Sequence, residues 1–258
     1  MHLMKRLIAA ACLALALGVV TAVAAPPPRK PYIAAALADP ARQSDRDIDA
    51  RRRPGRLMAF SGVKPGDKVV DLIPGSGYFT KIFSKIVGPT GRVYAIWPDE
   101  YAKVAQPDPA ASQRLAEQKA FRNVTVILQP AAVFSTPRKV DLVFTSQNYH
   151  DYPDSFMGGV DPKVFNRAVY KALKPGGVFL VVDHAAEAGA GMRDTDTLHR
   201  IDPAIVRKQV TAAGFVFEGE SHALANPADD HKLPVFDKLI RGHTDQFIFK
   251  FRKPLTAK

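Results

Sequence analysis

Cysteine is nearly absent from this sequence. The single one, Cys12, lies inside an apolar N-terminal run that reads as a leader. The chain beyond that leader has no thiol. Disulfides, thiolate nucleophiles and cysteine-ligated metals are therefore excluded there. Tryptophan is as scarce, with Trp97 alone. No internal repeat is visible. The net charge is +11, yet no basic stripe with interleaved aromatics accompanies it. The basic residues are dispersed except for Arg51, Arg52 and Arg53, so nucleic acid is not an expected partner. Six histidines follow the leader, and none has His-x-x-x-His spacing, so no metal is expected.

Long apolar runs are also lacking, apart from 7–20. Lys5 and Arg6 precede that run and Ala22-Val23-Ala24 follows it. This is the pattern of a signal peptide cleaved after residue 24, without a twin-arginine pair. General export to the periplasm or exterior is expected, with no stable membrane anchor after cleavage. Without Lys5 and Arg6, 34 basic residues face 25 acidic ones, a charge of +9 that favours anionic ligands without identifying one.

What remains is an ordinary globular balance, with 47% hydrophobic and 24% charged residues, enough for a substantial core. Pro26, Pro27, Pro28 and Pro31 suggest a proline-rich linker over 25–44, with a helical turn or two from Tyr32. A single domain over 45–258 follows. Its pattern alternates strand and helix: strands at 68–72, 92–96, 124–128, 140–145 and 178–183, with helices at 78–87, 112–120 and 162–173 between them. Residues 184–199 read as a mobile loop. A helix over 203–213 precedes two alternating strands, 215–221 and 246–252, that suit a terminal antiparallel pair. Strand–helix alternation implies a parallel sheet covered on both faces.

The most informative stretch is 68–80, Lys-Val-Val-Asp-Leu-Ile-Pro-Gly-Ser-Gly-Tyr-Phe-Thr. It reads as a buried strand, a tight turn and the start of a helix. Gly75 and Gly77 allow close backbone approach to a ligand, and the first helical amides are free to donate. Asp71 ends the strand, where open α/β sheets place ligand contacts.

Three landmarks carry a resemblance: Val-Val-Asp-Leu-Ile-Pro-Gly-Ser-Gly at 69–77, Val-Asp-Leu-Val-Phe at 140–144, and Leu-Lys-Pro-Gly-Gly-Val-Phe-Leu-Val-Val-Asp at 173–183. With the terminal strand pair, they resemble the class I S-adenosylmethionine-dependent methyltransferases. More narrowly, Asn148-Tyr149-His150-Asp151, 198–203 and 226–231 resemble a bacterial group of predicted methyltransferases that carry signal peptides. The resemblance implies a single Rossmann-like, doubly wound α/β domain. Its sheet would have seven mostly parallel strands and an antiparallel C-terminal strand, with a helical N-terminal lead-in. It also implies S-adenosyl-L-methionine as cofactor and methyl transfer to a small molecule, an anionic one among the options. Cofactor contacts would come from Asp71, Gly75, Gly77, Tyr78, Trp97, Asp99, Gln129 and Asn148. Two departures stand out. Ile73 occupies the place of the family's first loop glycine. Trp97 follows the second strand where an acid is usual, with Asp99 two residues on.

Methyl transfer to oxygen or nitrogen needs a positioned acceptor and a base near neutral pKa. His150 fits that base, with Asp151 to orient it and Tyr149 to pack beside the sulfonium. Arg200 and Arg241 are candidate partners for a substrate carboxylate. Asp183 and His184 also end a strand at the ligand edge. An export signal on a chain whose cofactor is cytosolic leaves an alternative: an exported, non-catalytic small-molecule binding protein on the same scaffold.

Overall fold

The computed structural model describes residues 30–255. The signal peptide expected over 1–24 lies outside them. Among the described residues, no helix is long and apolar enough to cross a membrane.

Seven strands form one sheet in the order β3-β2-β1-β4-β5-β7-β6. They are β1 (Lys68–Leu72), β2 (Arg92–Pro98), β3 (Val124–Gln129), β4 (Val140–Ser146), β5 (Leu173–His184), β6 (Val216–Glu220) and β7 (Gln246–Arg252). The first five are parallel, and β7 runs antiparallel to both β5 and β6. The sheet is the one expected. The Lys-Pro-Gly-Gly turn does not precede β5 but is absorbed into it, as an irregularity between the bridge Val140–Leu173 and the regular register from Leu142–Val178. Gly176, at φ 75°, makes that bend possible.

Side chains alternate across the strands, so each sends half its residues to either face. Val70, Leu72, Ile96, Val143 and Val181 enter one apolar cluster with Phe165, Val169 and Val206. Val69, Ala95, Phe144, Leu180 and Val182 enter the other, with Ile82, Phe83 and Ile86. Helix α4 (Tyr78–Val87) covers this second face. Helices α7 (Pro162–Ala172) and α9 (Pro203–Ala212) cover the first. Asp161 and Asp202 cap these two helices by accepting from the amides of Lys163 and Ala204, and each helix opens on proline.

The N-terminal segment is helical from Pro31, so within the described residues the expected linker carries the expected helical turns and runs into the lead-in. Helix α1 (Pro31–Ala38), a 3-10 helix over Pro40–Ile48, and the short helices α2 (Asp49–Arg52) and α3 (Pro54–Ser61) form a packed lead-in. Ile33, Ala36, Leu57 and Met58 are buried in the same apolar cluster as Ile82, Phe83 and Ile86 of α4. Between β2 and β3 the chain forms α5 (Asp99–Val104) and α6 (Asp108–Glu117), so the second helix starts four residues before the sequence pattern places it. Residues 184–199 are not plain loop. Ala185 bridges to Ile201, and α8 (Thr195–Leu198) precedes His199.

Candidate active site

A cavity of about 510 Å³ opens at the carboxyl ends of β1, β2, β4 and β5. That volume falls within the roughly 300–1,000 Å³ of small-molecule sites. One side is the turn after β1. Gly75 adopts φ 55° and Gly77 φ 81°, and a Cβ on Gly77 would lie 2.8 Å from Leu115 Cδ2. The turn thus needs glycine at both positions, at Gly77 because α6 packs against it. Among the described residues, the amides of Gly75 and Ser76 donate to no backbone acceptor. Ile73 lines the same wall at φ 53°, its amide donating to Ile96 O at 2.8 Å. It therefore adopts a left-handed conformation suited to glycine while carrying a branched side chain. Gln147 and His199, at φ 65° and 52°, also line the cavity. Three of the five described non-glycine residues with positive φ thus meet at one site, a clustering typical of functional walls.

Asp71 is 2% exposed beneath the first turn of α4, and Thr80 Oγ1 donates to its Oδ2 at 2.6 Å. Burial pushes its carboxyl up to about 7, against the opposing pull of that bond and of Arg52. Arg52, from the arginine triplet, lines the cavity with its guanidinium 5.1 Å from the Tyr78 ring centroid. Tyr78 lines it too and donates to Asp49 Oδ1 at 2.5 Å. Trp97 is buried within β2 and donates to Ser112 Oγ at 3.1 Å, so the indole forms a wall and leaves the cavity open.

The far side comes from the turn after β4 and from the end of β5. Pairing of Ser146 with Val182 sets Asp183 beside this turn. Asp183 is fully buried. Its Oδ2 accepts from the His150 amide at 2.9 Å, and its Oδ1 accepts from the His184 amide at 2.8 Å. His150 Nδ1 also donates to Oδ1, at 2.8 Å. On the other edge of the ring, His150 Nε2 lies 3.2 Å from Asp151 Oδ1 and 3.4 Å from His199 Nδ1. Burial pushes the His150 imidazole down, but Asp183 and Asp151 outweigh it and raise it to about 10. Burial likewise works against the Asp151 carboxylate, which His150 nevertheless holds at about 2. His184, whose Nδ1 is 2.7 Å from Thr244 Oγ1, is lowered by burial to about 4 and is neutral at pH 7. Phe236, 60% exposed, and Val235 close the outer edge, with Phe236 set edge-on 4.9 Å from His199.

The cavity wall thus gathers Asp71, Gly75, Tyr78, Trp97, Asn148, His150 and Asp151 from the sequence candidates. Gly77 supports the turn without lining the space. Three candidates face elsewhere. Tyr149 is buried in the core, accepting from Asn166 at 2.7 Å, donating to Gln209 at 3.0 Å and packing on Phe165. Its neighbour His150 takes the cavity side because successive side chains diverge. Gln129 pairs with Ser135 outside the cavity. Asp99 opens α5 and does not line the cavity, and Glu100 instead accepts from the Ala131 amide. Asp183 and Asp151 on its two edges favour the protonated imidazole of His150. Arg200 does not reach the cavity: it is buried and pairs with Asp229 at 2.9 and 3.1 Å.

Sequence reasoning missed Asp108 and Tyr101 on this wall, whereas Arg52 comes from the arginine triplet and His199 from the loop over the strand ends. Asp108 Oδ2 lies 4.0 Å from the Cβ position of Gly75. A second depression, about 740 Å³ and shallower, lies beside Val133, Arg138 and Val164, away from these strand ends.

The strand order and the site at the strand ends define a Rossmann-like methyltransferase fold. Solved structures with this architecture include a SAM-dependent methyltransferase from Aquifex aeolicus, 18% identical with a TM-score of 0.54, covering 84% of this chain and 94% of that one. The [4+2]-cyclase SpnF is 17% identical with a TM-score of 0.60, covering 80% and 82%. The glycopeptide N-methyltransferase MtfA, solved with S-adenosyl-L-methionine, is 16% identical with a TM-score of 0.52, covering 77% and 86%. In sequence, the chain is similar to the ubiquinone/menaquinone biosynthesis C-methyltransferase UbiE. It is 31% identical to that of Ectopseudomonas mendocina over 131 residues, 49% of this chain and 45% of that protein. It is 32% identical to that of Hydrogenovibrio crunogenus over 128 residues, again 49% and 45%. The chain thus spans about half the length of these curated relatives. No protein-family model matches it.

Proposed function

We propose that this chain is a class I S-adenosyl-L-methionine-dependent methyltransferase acting on a small molecule. The observation that carries the reading is the cavity against the turn after β1, in the sheet order of the methyltransferase neighbours. The UbiE similarity supports it. The wall suits the cofactor: Gly75 offers an uncovered backbone, two amides lack backbone acceptors, and Asp71 and Asp108 supply acids. When bound, the cofactor supplies an electrophilic methyl on a sulfonium. Trp97, Tyr101 and Phe156 offer aromatic surface for its apolar parts and cation. Asn148, held by its bonds to Tyr101 and Asp151, separates this side from the histidines, where the acceptor would lie.

The signal-like N-terminus supports export, which an export-reporter fusion would test. A second reading, non-catalytic binding of a small molecule, draws on Asp183 and Asp151, which flank the His150 ring and favour its protonated form over a free base. Calorimetric titration of the mature protein with S-adenosylmethionine and with its demethylated product separates the two. Saturable binding of both supports the methyltransferase. Absence of binding at millimolar ligand promotes the binding protein.

A further inference from the structure

His150 Nε2, Asp151 Oδ1 and His199 Nδ1 converge on the cavity from two separate stretches of chain. Their separations are 3.2 Å, 3.4 Å and 3.7 Å. A tetrahedral ion with ligands at about 2.0–2.1 Å requires about 3.3–3.4 Å between donor atoms, whereas octahedral geometry requires about 3.0 Å. From this geometry we infer a divalent transition-metal site, most suited to zinc, held by His150, Asp151 and His199. Its fourth position is left on the cavity side for water or a small-molecule donor.

The surroundings are built for such an ion. Asp183 binds the Nδ1 edge of His150 and its amide, which fixes the proton on Nδ1 and leaves the Nε2 lone pair for a ligand. A carboxylate behind a ligating imidazole is the usual outer support of a protein metal site. Asp151 is oriented in the same way. Its Oδ2 accepts from Asn148, which leaves Oδ1 toward the two histidines. The charges also match. The side chains of Asp151 and Asp183 are 4% and 0% exposed, and among the described residues neither pairs with Lys or Arg. Two buried carboxylates need compensation, and one doubly charged ion provides it. In the absence of metal, a proton at Nε2 meets part of that need.

The third ligand is delivered by a rigid strap. Just past β5 the Ala186 amide donates to Ile201 O and the Ile201 amide to His184 O, Thr195 donates to Asp154 at 2.7 Å, and buried Arg200 is clamped by Asp229. His199 sits between these anchors, in a left-handed conformation. The site escaped the sequence pattern because its ligands are 49 residues apart.

The test uses the chelator-treated mature protein without S-adenosylmethionine, so its result is independent of the methyltransferase reading. Zinc and cobalt(II) are titrated by calorimetry and visible absorption. The expected result is one equivalent bound, with the intense visible bands of tetrahedral cobalt. Asp151→Asn keeps the shape of the carboxylate, and His199→Gly tolerates the left-handed backbone. Each is expected to weaken binding beyond the about 10–100-fold that loss of an outer partner costs. Circular dichroism checks that both remain folded. No saturable binding, or binding that either folded variant leaves within a few-fold of wild type, would overturn the site and leave His150 holding a proton only.

Discussion

Ile73 shows most clearly how one residue is set against its backbone. Its left-handed φ costs about 1–2 kcal/mol, while its buried side chain is worth more than that. Replacing it by alanine keeps the backbone cost and loses the packing, about 2–5 kcal/mol. Replacing it by glycine loses the packing but also removes the cost. Ile73→Gly is therefore expected to be at least as stable as Ile73→Ala in urea denaturation, the reverse of the usual order. Asp71 makes a prediction in pH. Its folded value is raised to about 7 from 3.8, so the native state holds the proton more tightly than the unfolded chain. The stability this provides is complete below about pH 4 and is lost as pH rises through about 7. Asp71→Asn keeps an acceptor for Thr80 and does not titrate. Its stability relative to wild type should rise across that window and level off above it, as read by denaturation at a series of pH values. A flat difference would show that Asp71 is not buried as a carboxyl in the folded state.

At the scale of elements, the lead-in is a clasp on α4. Asp45 pairs with Lys81 at 2.8 Å, Asp39 with Lys85 at 3.2 Å, and Asp49 takes both Arg42 at 2.7 Å and the Tyr78 hydroxyl. Arg42 is wholly buried, and it also donates to Leu37 O at 2.8 Å. Exposed ion pairs contribute little, but breaking a buried one leaves a charge without a partner. Arg42→Ala should cost about 3 kcal/mol in urea denaturation, near the lower end for buried pairs because Asp49 is about a quarter exposed. Lys85→Ala, outside the core of the clasp, should cost well under 1 kcal/mol. The proline-rich start of the segment conceals this clasp in the sequence. Its partners lie on a later helix, 29 residues away for Asp49 and Tyr78 and 36 for Asp45 and Lys81.

Across the whole molecule, the strands were legible because buried parallel strands are continuous apolar runs bounded by turn residues. The terminal strand 246–252 was placed to the residue because Phe247, Phe249 and Phe251 recur at every second position. The walls of the site were legible only in part. Spacing shows that Asn148, Tyr149, His150 and Asp151 leave the end of β4, but not that Tyr149 turns into the core while His150 turns to Asp183. Asp108 could not be read because its nearness to Gly75 arises from packing, and the approach of His199 to His150, 49 residues away, is hidden for the same reason. The same scaffold accommodates methyltransferases and a [4+2]-cyclase among its structural neighbours, so the site, not the sheet, decides the chemistry. The central claim is that the cavity beside Gly75 and Asp108 binds S-adenosylmethionine. Calorimetry on the mature wild type and on Asp108→Ala tests it most directly. The account predicts one saturable site in the wild type, weakened about 10–100-fold in the variant by loss of a charge-assisted contact. No binding to the wild type, or equal binding to both proteins, would contradict it.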